Sequence, residues 1–254
     1  MRDAAVMTDN ETLSALVSVL IPARNAERWL ATAIESILAQ TYKPIEIIVI
    51  ENGSDDGTPA LAERYRREGV TVLSLHDGHL VAALNEGIRV SRGAYIARQD
   101  ADDWSAPERI AKQVALLEAD ESVLVCGCRY REVALDGAPG RDRQGYCDLE
   151  SMQRRLRTAM PFAGGSMLVR RSLVDALGGF DPFFDGILGE DYDFLVRAAE
   201  ITNVATVDEC LYFRRVGNPE SMCGRVERDY ASMKALVRLR AEHRGSDFFG
   251  SAPG

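Results

Sequence analysis

The chain has 254 residues, a hydrophobic fraction of 46% and a formal net charge of −9, which fits one large α/β domain or two small ones with a sizeable core. Its 39 acids against 30 bases argue against general nucleic-acid binding, which wants a basic face. No apolar run approaches the length of a membrane span, and the opening MRDAAVMTDNETLSA lacks the apolar centre of a signal peptide.

Five cysteines with no CxxC pair read as reduced thiols of a cytoplasmic protein, and the three histidines lack zinc-ligand spacing. Residues 1–15 read as a flexible lead. Leu16–Ile21 is a buried-strand candidate stopped by Pro22, and Asn25 is placed to cap the next helix. In that helix Leu30, Ala33, Ile34, Ile37 and Leu38 share one face. Ile45–Ile50 reads as a parallel strand, followed by the turn-rich ENGSDDGT. A helix over roughly Pro59–Arg67, a strand at Val70–Leu75, a helix at His79–Val90 and a strand at Ala94–Arg98 continue the alternation. Such alternation predicts a mostly parallel, doubly wound open sheet flanked by helices. Right-handed crossovers would then bring Pro22–Asn25, Glu51–Asp56 and Asp100–Asp103 to one rim.

The second half is less patterned. A helix from Pro107 to Ala119 and a strand at Val123–Cys128 precede a Gly-, Asp- and Arg-rich loop or irregular hairpin at 131–147. Leu149–Thr158 reads as a helix, Gly165–Val169 as a strand and Ser172–Leu177 as a short helix. The glycine-rich Gly178–Gly189 leads into a helix at Glu190–Glu200, whose first turn carries Glu190, Asp191 and Asp193. Acids there suit the helix dipole whatever else they do. Leu211–Val216 reads as a last strand, Arg225–His243 as a basic helix and GSDFFGSAPG as a frayed tail.

The stretch Ala94–Asp103, AYIARQDADD, carries the sharpest chemical signal. An apolar strand runs out into Asp100, Asp102 and Asp103 at the edge where open α/β sheets bind ligands. Close carboxylates repel one another unless a cation sits between them, and hard oxygen donors suit Mg²⁺ or Mn²⁺. The bland alternative is a solvated acidic turn that caps the next helix.

Four blocks, VSVLIPARN, IEIIVIENGSDDGT, GAYIARQDADDWSAPERI and GGFDPFFDGILGEDYDFLVRAAE, come in the order and spacing typical of bacterial family 2 glycosyltransferases. The resemblance covers about Val17 to Glu200. It implies a GT-A fold, a nucleotide-sugar donor with UDP first in line, Mn²⁺ or Mg²⁺, and inversion at the anomeric carbon. Pro22, Ala23, Arg24 and Asn25 match the loop that lies against base and ribose in the family. Glu51 and Asn52 match an acidic pair that faces the base, with Asn52 in place of the commoner Asp. Asn85 matches a polar position near the nucleotide, and Gln99 and Ala101 flank the acids there. Asp100 and Asp102 match the DxD pair, with Asp102 on the metal and Asp100 on ribose or metal. Asp191 matches the catalytic base, with Glu190 beside it. With no internal repeat and no low-complexity linker, the chain reads as one domain at 16–216 with a basic helix and tail at 217–254; the resemblance makes that domain GT-A, with a nucleotide half at 16–103 and an acceptor half at 104–216.

Trp104, Phe180, Phe183 and Phe184 are candidates for stacking on sugars, although aromatics more often fill cores. Between Leu211 and Gly245 there are eight Lys or Arg against four acids, which reads either as a solvated surface helix or as contact with the inner membrane face or with a lipid-linked or other phosphate-bearing acceptor. The acceptor is otherwise a glycan or small-molecule hydroxyl. Rival readings are a non-catalytic sugar-nucleotide or carbohydrate binding module, a Mg²⁺-dependent phosphatase with a nucleophilic Asp, and a dinucleotide-binding oxidoreductase. The phosphatase would carry its DxD after the first strand, and the oxidoreductase would need a GxGxxG that is missing here.

Overall fold

The computed structural model describes residues 15–76, 78–143, 145, 148–218 and 230–250. The first half alternates strictly: β1 (Val17–Ala23), α1 (Leu30–Leu38), β2 (Ile45–Asn52), α2 (Thr58–Arg64), β3 (Thr71–Leu75), α3 (Leu80–Val90) and β4 (Tyr95–Arg98). Then come β5 (Trp104–Ser105), α4 (Arg109–Ala119), β6 (Val123–Val133), β7 (Pro139–Arg143), α5 (Leu149–Leu156), β8 (Leu168–Arg170), α6 (Arg171–Leu177), α7 (Glu190–Ala199), β9 (Asn203–Arg215) and α8 (Tyr230–His243).

The strands form one sheet in the order β3-β2-β1-β4-β8-β6-β9-β5, with β7 paired to β6. β1 to β4 are mutually parallel, and β8 runs antiparallel to both β4 and β6. The continuous apolar runs of β1 and β2 follow from burial on both faces. Leu20, Ile48 and Ile50 pack with residues of α3, α6 and α7, while Val19, Ile21, Ile47 and Val49 pack with α1, α2 and α4.

Several local expectations need correction. Pro22 does not stop β1, which continues in register with β2 to Ala23 opposite Glu51. Asn25 is not a helix cap: it takes φ +49, and its Oδ1 accepts the Asp55 N–H at 2.9 Å. β6 and β9 run far beyond the short apolar cores that mark them in the sequence, and pair along most of their length. The two-residue β5 is too short to give a periodic signal and exists only through β9. The 131–147 segment, by contrast, holds an irregular hairpin as expected, with β7 antiparallel to β6 and a register shift between Arg131 and Val133.

The expected tail is not frayed over 245–250, where Phe248 and Phe249 pack on the core beside Tyr192. The N-terminal lead before residue 15, Arg225 and Arg228 of the basic helix, and residues 251–254 lie outside the described residues. Among the described residues no helix is long and apolar enough to cross a membrane.

Candidate active site

The DxD turn leaves β4 at the carboxyl edge of the parallel strands. Its three carboxylates have different partners. Asp103 is buried, with Oδ2 accepting the Tyr212 hydroxyl at 2.8 Å and Oδ1 accepting the Arg215 N–H at 2.7 Å. Burial, then the charges of Asp102 and Asp100, hold its carboxyl well above the usual range. Asp103 therefore anchors the turn to β9. Asp102 Oδ2 accepts the Asn218 amide at 2.8 Å, and its backbone carbonyl accepts Arg215 Nε at 2.8 Å. Burial chiefly, with the Asp100 charge, pushes the Asp102 carboxyl up. Asp100 receives Arg98 Nε on Oδ1 at 3.0 Å, while its backbone N–H donates to the Tyr212 hydroxyl at 3.2 Å.

The second acidic group stands opposite, on the first turn of α7. Glu190 is buried, and both its oxygens are engaged: Oε1 accepts Arg98 Nη1 at 3.1 Å and Oε2 accepts the Gly189 N–H at 3.3 Å. Asp193 is fully buried between Arg197 at 2.8 Å and Arg244 at 2.7 Å. Asp191 is the open member. Its Oδ1 accepts the Tyr192 N–H at 2.7 Å, and its Oδ2 lies against Gly164 without a hydrogen-bond donor among the described residues. Burial, then the neighbouring Glu190 charge, push the Asp191 carboxyl up to about 7 against the pull of Arg98.

A 3-10 turn at Gly164–Ser166 separates the two groups. A Cβ on Gly164 would collide with Asp191 Oδ2, and one on Gly165 would sit 2.6 Å from Asp100 Oδ2 and closer still to the Tyr212 hydroxyl. Only residues without a side chain fit at this close approach.

The rim forms as the crossover rule predicts, through Asn25 to the Ser54–Asp55 turn and the Ser54 N–H to Glu51 Oε1. Arg24 is exposed and reaches the Gly78 carbonyl at 3.4 Å. Asn52 Nδ2 donates to the His79 carbonyl at 2.9 Å, which fixes the amide; Oδ1 is buried and has no partner among the described residues. Pro22 and Ala23 close the end of β1, and Ala101 is buried beneath the turn.

Two expected site residues are committed elsewhere. Asn85 clamps both backbone groups of Phe180 at 2.9 Å, joining α3 to the glycine-rich loop. Gln99 is fully buried, bonded to Ser105 and to the Asp100 carbonyl.

The aromatic candidates divide as well. Phe180 and Phe184 are core, and Trp104 stacks on Phe213 with ring centroids 5.2 Å apart, leaving Phe183 exposed. Arg240 of α8 and Arg244 in the turn just after it face inward onto Asp181 and Asp193, and Arg238 pairs with Glu242.

The sequence model of glycosyl transferase family 2 matches residues 18–178, and an uncharacterized glycosyltransferase of Rickettsia prowazekii (strain Madrid E) is 38% identical over 80% of this chain and 64% of its own length. The chain belongs to glycosyltransferase family 2. It spans between 16% and 66% of the length of eight curated relatives.

Among solved structures, Staphylococcus aureus TarS 1-349 in complex with UDP-GlcNAc superposes with a TM-score of 0.71, at 19% identity over 88% of this chain and 65% of that one. Mannosyltransferase PcManGT from Pyrobaculum calidifontis, in complex with GDP-Man and Mn²⁺, gives 0.64 at 22% identity over 95% and 67%. These likenesses show the GT-A fold.

Within this family 2 chain, the sequence reading passed over Arg98, the Gly164–Gly165 pair, Tyr212, Arg215 and Asn218. Arg98 carried a signal, since a guanidinium inside a four-residue apolar strand needs a partner. Tyr212 and Arg215 carried none, because their partners are more than a hundred residues away.

Proposed function

We propose that this chain is an inverting, metal-dependent glycosyltransferase that moves a sugar from a nucleoside diphosphate, uridine first in line, to an acceptor hydroxyl. The observation behind this reading is the juxtaposition of two acidic groups across the Gly164–Gly165 turn. On one side Asp100 and Asp102 suit a divalent ion; on the other, Asp191 has one oxygen free of hydrogen bonds.

Among the described residues no group of three or more His, Cys, Asp or Glu side chains could hold a metal alone. The fit is therefore to an ion that takes one or two carboxylates from the protein and its other ligands from phosphate and water, as Mg²⁺ and Mn²⁺ do. Asp102 and Asp100 would hold it, and when bound it would offset charge on the departing diphosphate.

Inversion requires a base on the far side of the sugar. A carboxyl raised to about 7 can take a proton from a hydroxyl near neutral pH. Glu190 is a poor candidate for that role, because both its oxygens are already occupied. The unpartnered Asn52 Oδ1 supports a base with a ring N–H, uracil or guanine, over cytosine or adenine.

Calorimetric titration of UDP with Mn²⁺ tests the donor side. Asp102→Ala is expected to abolish metal-dependent binding. Unchanged affinity and metal dependence in that variant would remove the DxD assignment.

A further inference from the structure

The loop that carries Asp191 to the rim is rich in pivots. Gly178, Gly179, Gly186 and Gly189 all have positive φ, between +70° and +123°. Its far end is tied down by Asn85 on Phe180, by the Val81 N–H on Asp185 at 3.1 Å, and by Arg240 and Arg244 on Asp181. Arg244 also reaches Asp193 on the α7 turn, but none of these ties reaches the DxD turn.

Arg98 does. It leaves β4 two residues before Asp100, is only 10% exposed, and places Nε 3.0 Å from Asp100 and Nη1 3.1 Å from Glu190. Among the described residues it is the one side chain bonded to both acidic groups. A guanidinium holds two carboxylates at fixed angles because its donors lie in one rigid plane, which an ammonium cannot match.

We propose that Arg98 is a positioning residue: its guanidinium bolts Asp100 of the DxD turn to Glu190 of α7 and so sets where Asp191 stands relative to the donor. This rests on the transferase reading above. Asp191 follows Glu190 on the same helical turn, so any swing of Glu190 carries Asp191 with it. Misplacing a reacting group by about 1 Å can cost on the order of 10²-fold in rate. Donor binding is expected to survive, because removing a cation beside Asp100 takes away a competitor of the metal for that carboxylate.

The experiment compares wild type, Arg98→Met, Arg98→Lys, Glu190→Gln and the Arg98→Met/Glu190→Gln double variant. Turnover is read as hydrolysis of UDP-glucose, UDP-GlcNAc or GDP-mannose with Mn²⁺, whichever the wild type cleaves fastest. Affinity is read by calorimetry with UDP and Mn²⁺. Arg98→Met should lose on the order of 10²-fold in kcat with UDP affinity unchanged or tighter. Arg98→Lys should recover part of the loss, and the double variant should be no worse than Arg98→Met, since both break one bridge.

Wild-type kcat in Arg98→Met, an equal loss of UDP affinity, or losses that multiply in the double variant would each overturn the proposal while leaving the transferase reading intact. If Arg98→Met does not fold because Glu190 is left buried and unpaired, the double variant decides, and wild-type kcat there overturns the proposal. A wild type that cleaves none of the three donors overturns the transferase reading and this inference with it.

Discussion

Asp100–Asp103 and Glu190–Asp193 are both four-residue stretches containing three acids, yet they are held in opposite ways. The first is an irregular turn, and its anchoring acid, Asp103, is fixed by groups of β9 that arrive from the far end of the chain. The second is the start of a helix. Its anchoring acid, Asp193, is fixed by Arg197 one helical turn on and by Arg244 just past the end of α8. In each group at least one acid is fully committed and another keeps oxygen free. The difference shows that acid clustering alone does not mark the reactive member; the partners do. Asp191 is open because its free oxygen faces Gly164, where no side chain competes for it.

Breaking the second group at its open acid should have the largest effect. Asp191→Asn is expected to lower donor hydrolysis by roughly 10²- to 10⁴-fold, the range a positioned base contributes, with UDP–Mn²⁺ affinity unchanged. In the wild type the rate should rise with pH through about 7 as Asp191 loses its proton. The same substitution has a stability signature. A carboxyl whose folded pKa lies above its unfolded value adds stability only while protonated, so that contribution is lost as pH rises from about 4 through about 7. Asp191→Asn should therefore be more stable than wild type at pH 8, with the gap closing towards pH 5 in urea titrations. Wild-type turnover in Asp191→Asn together with loss in Glu190→Gln would move the base to Glu190.

Crowding the open oxygen instead of removing it comes next. Gly164→Ala should cost activity on the order of tenfold or more, together with about 1–3 kcal/mol of stability from overpacking. A variant as active and as stable as wild type would show that the close approach at Gly164 is not needed.

The smallest effects concern how the second group is anchored. Arg244→Ala removes a charged hydrogen bond from buried Asp193 and should cost about 1–3 kcal/mol in urea denaturation. Arg238→Ala, which removes an exposed pair with Glu242, should change stability by less than about 1 kcal/mol. Equal losses from the two would deny that Arg244, at the end of α8, anchors the α7 turn.

What was legible in the sequence was what local patterning fixes. The β1–α1–β2 alternation, the buried faces of Leu20 and Ile48, and the meeting of Asn25 with the Ser54–Asp55 turn on one rim all follow from apolar period and crossover handedness. The DxD turn and the acidic start of α7 were also visible, as motifs.

Only the tertiary structure decided which acids are anchored and which are open. Asp103 depends on Tyr212 and Arg215, and the link from Asp100 to Glu190 depends on Arg98 spanning ninety-two positions of sequence. It also assigned Asn85 to Phe180, where the family resemblance implied a nucleotide contact, and Arg240 and Arg244 to Asp181 and Asp193, where composition suggested a basic outer surface. The physical reason is the same throughout. Backbone periodicity is local and repeats, so it can be read along the chain. Hydrogen-bond partners of buried polar groups are single pairings between distant residues, and the chain shows them only after it has folded.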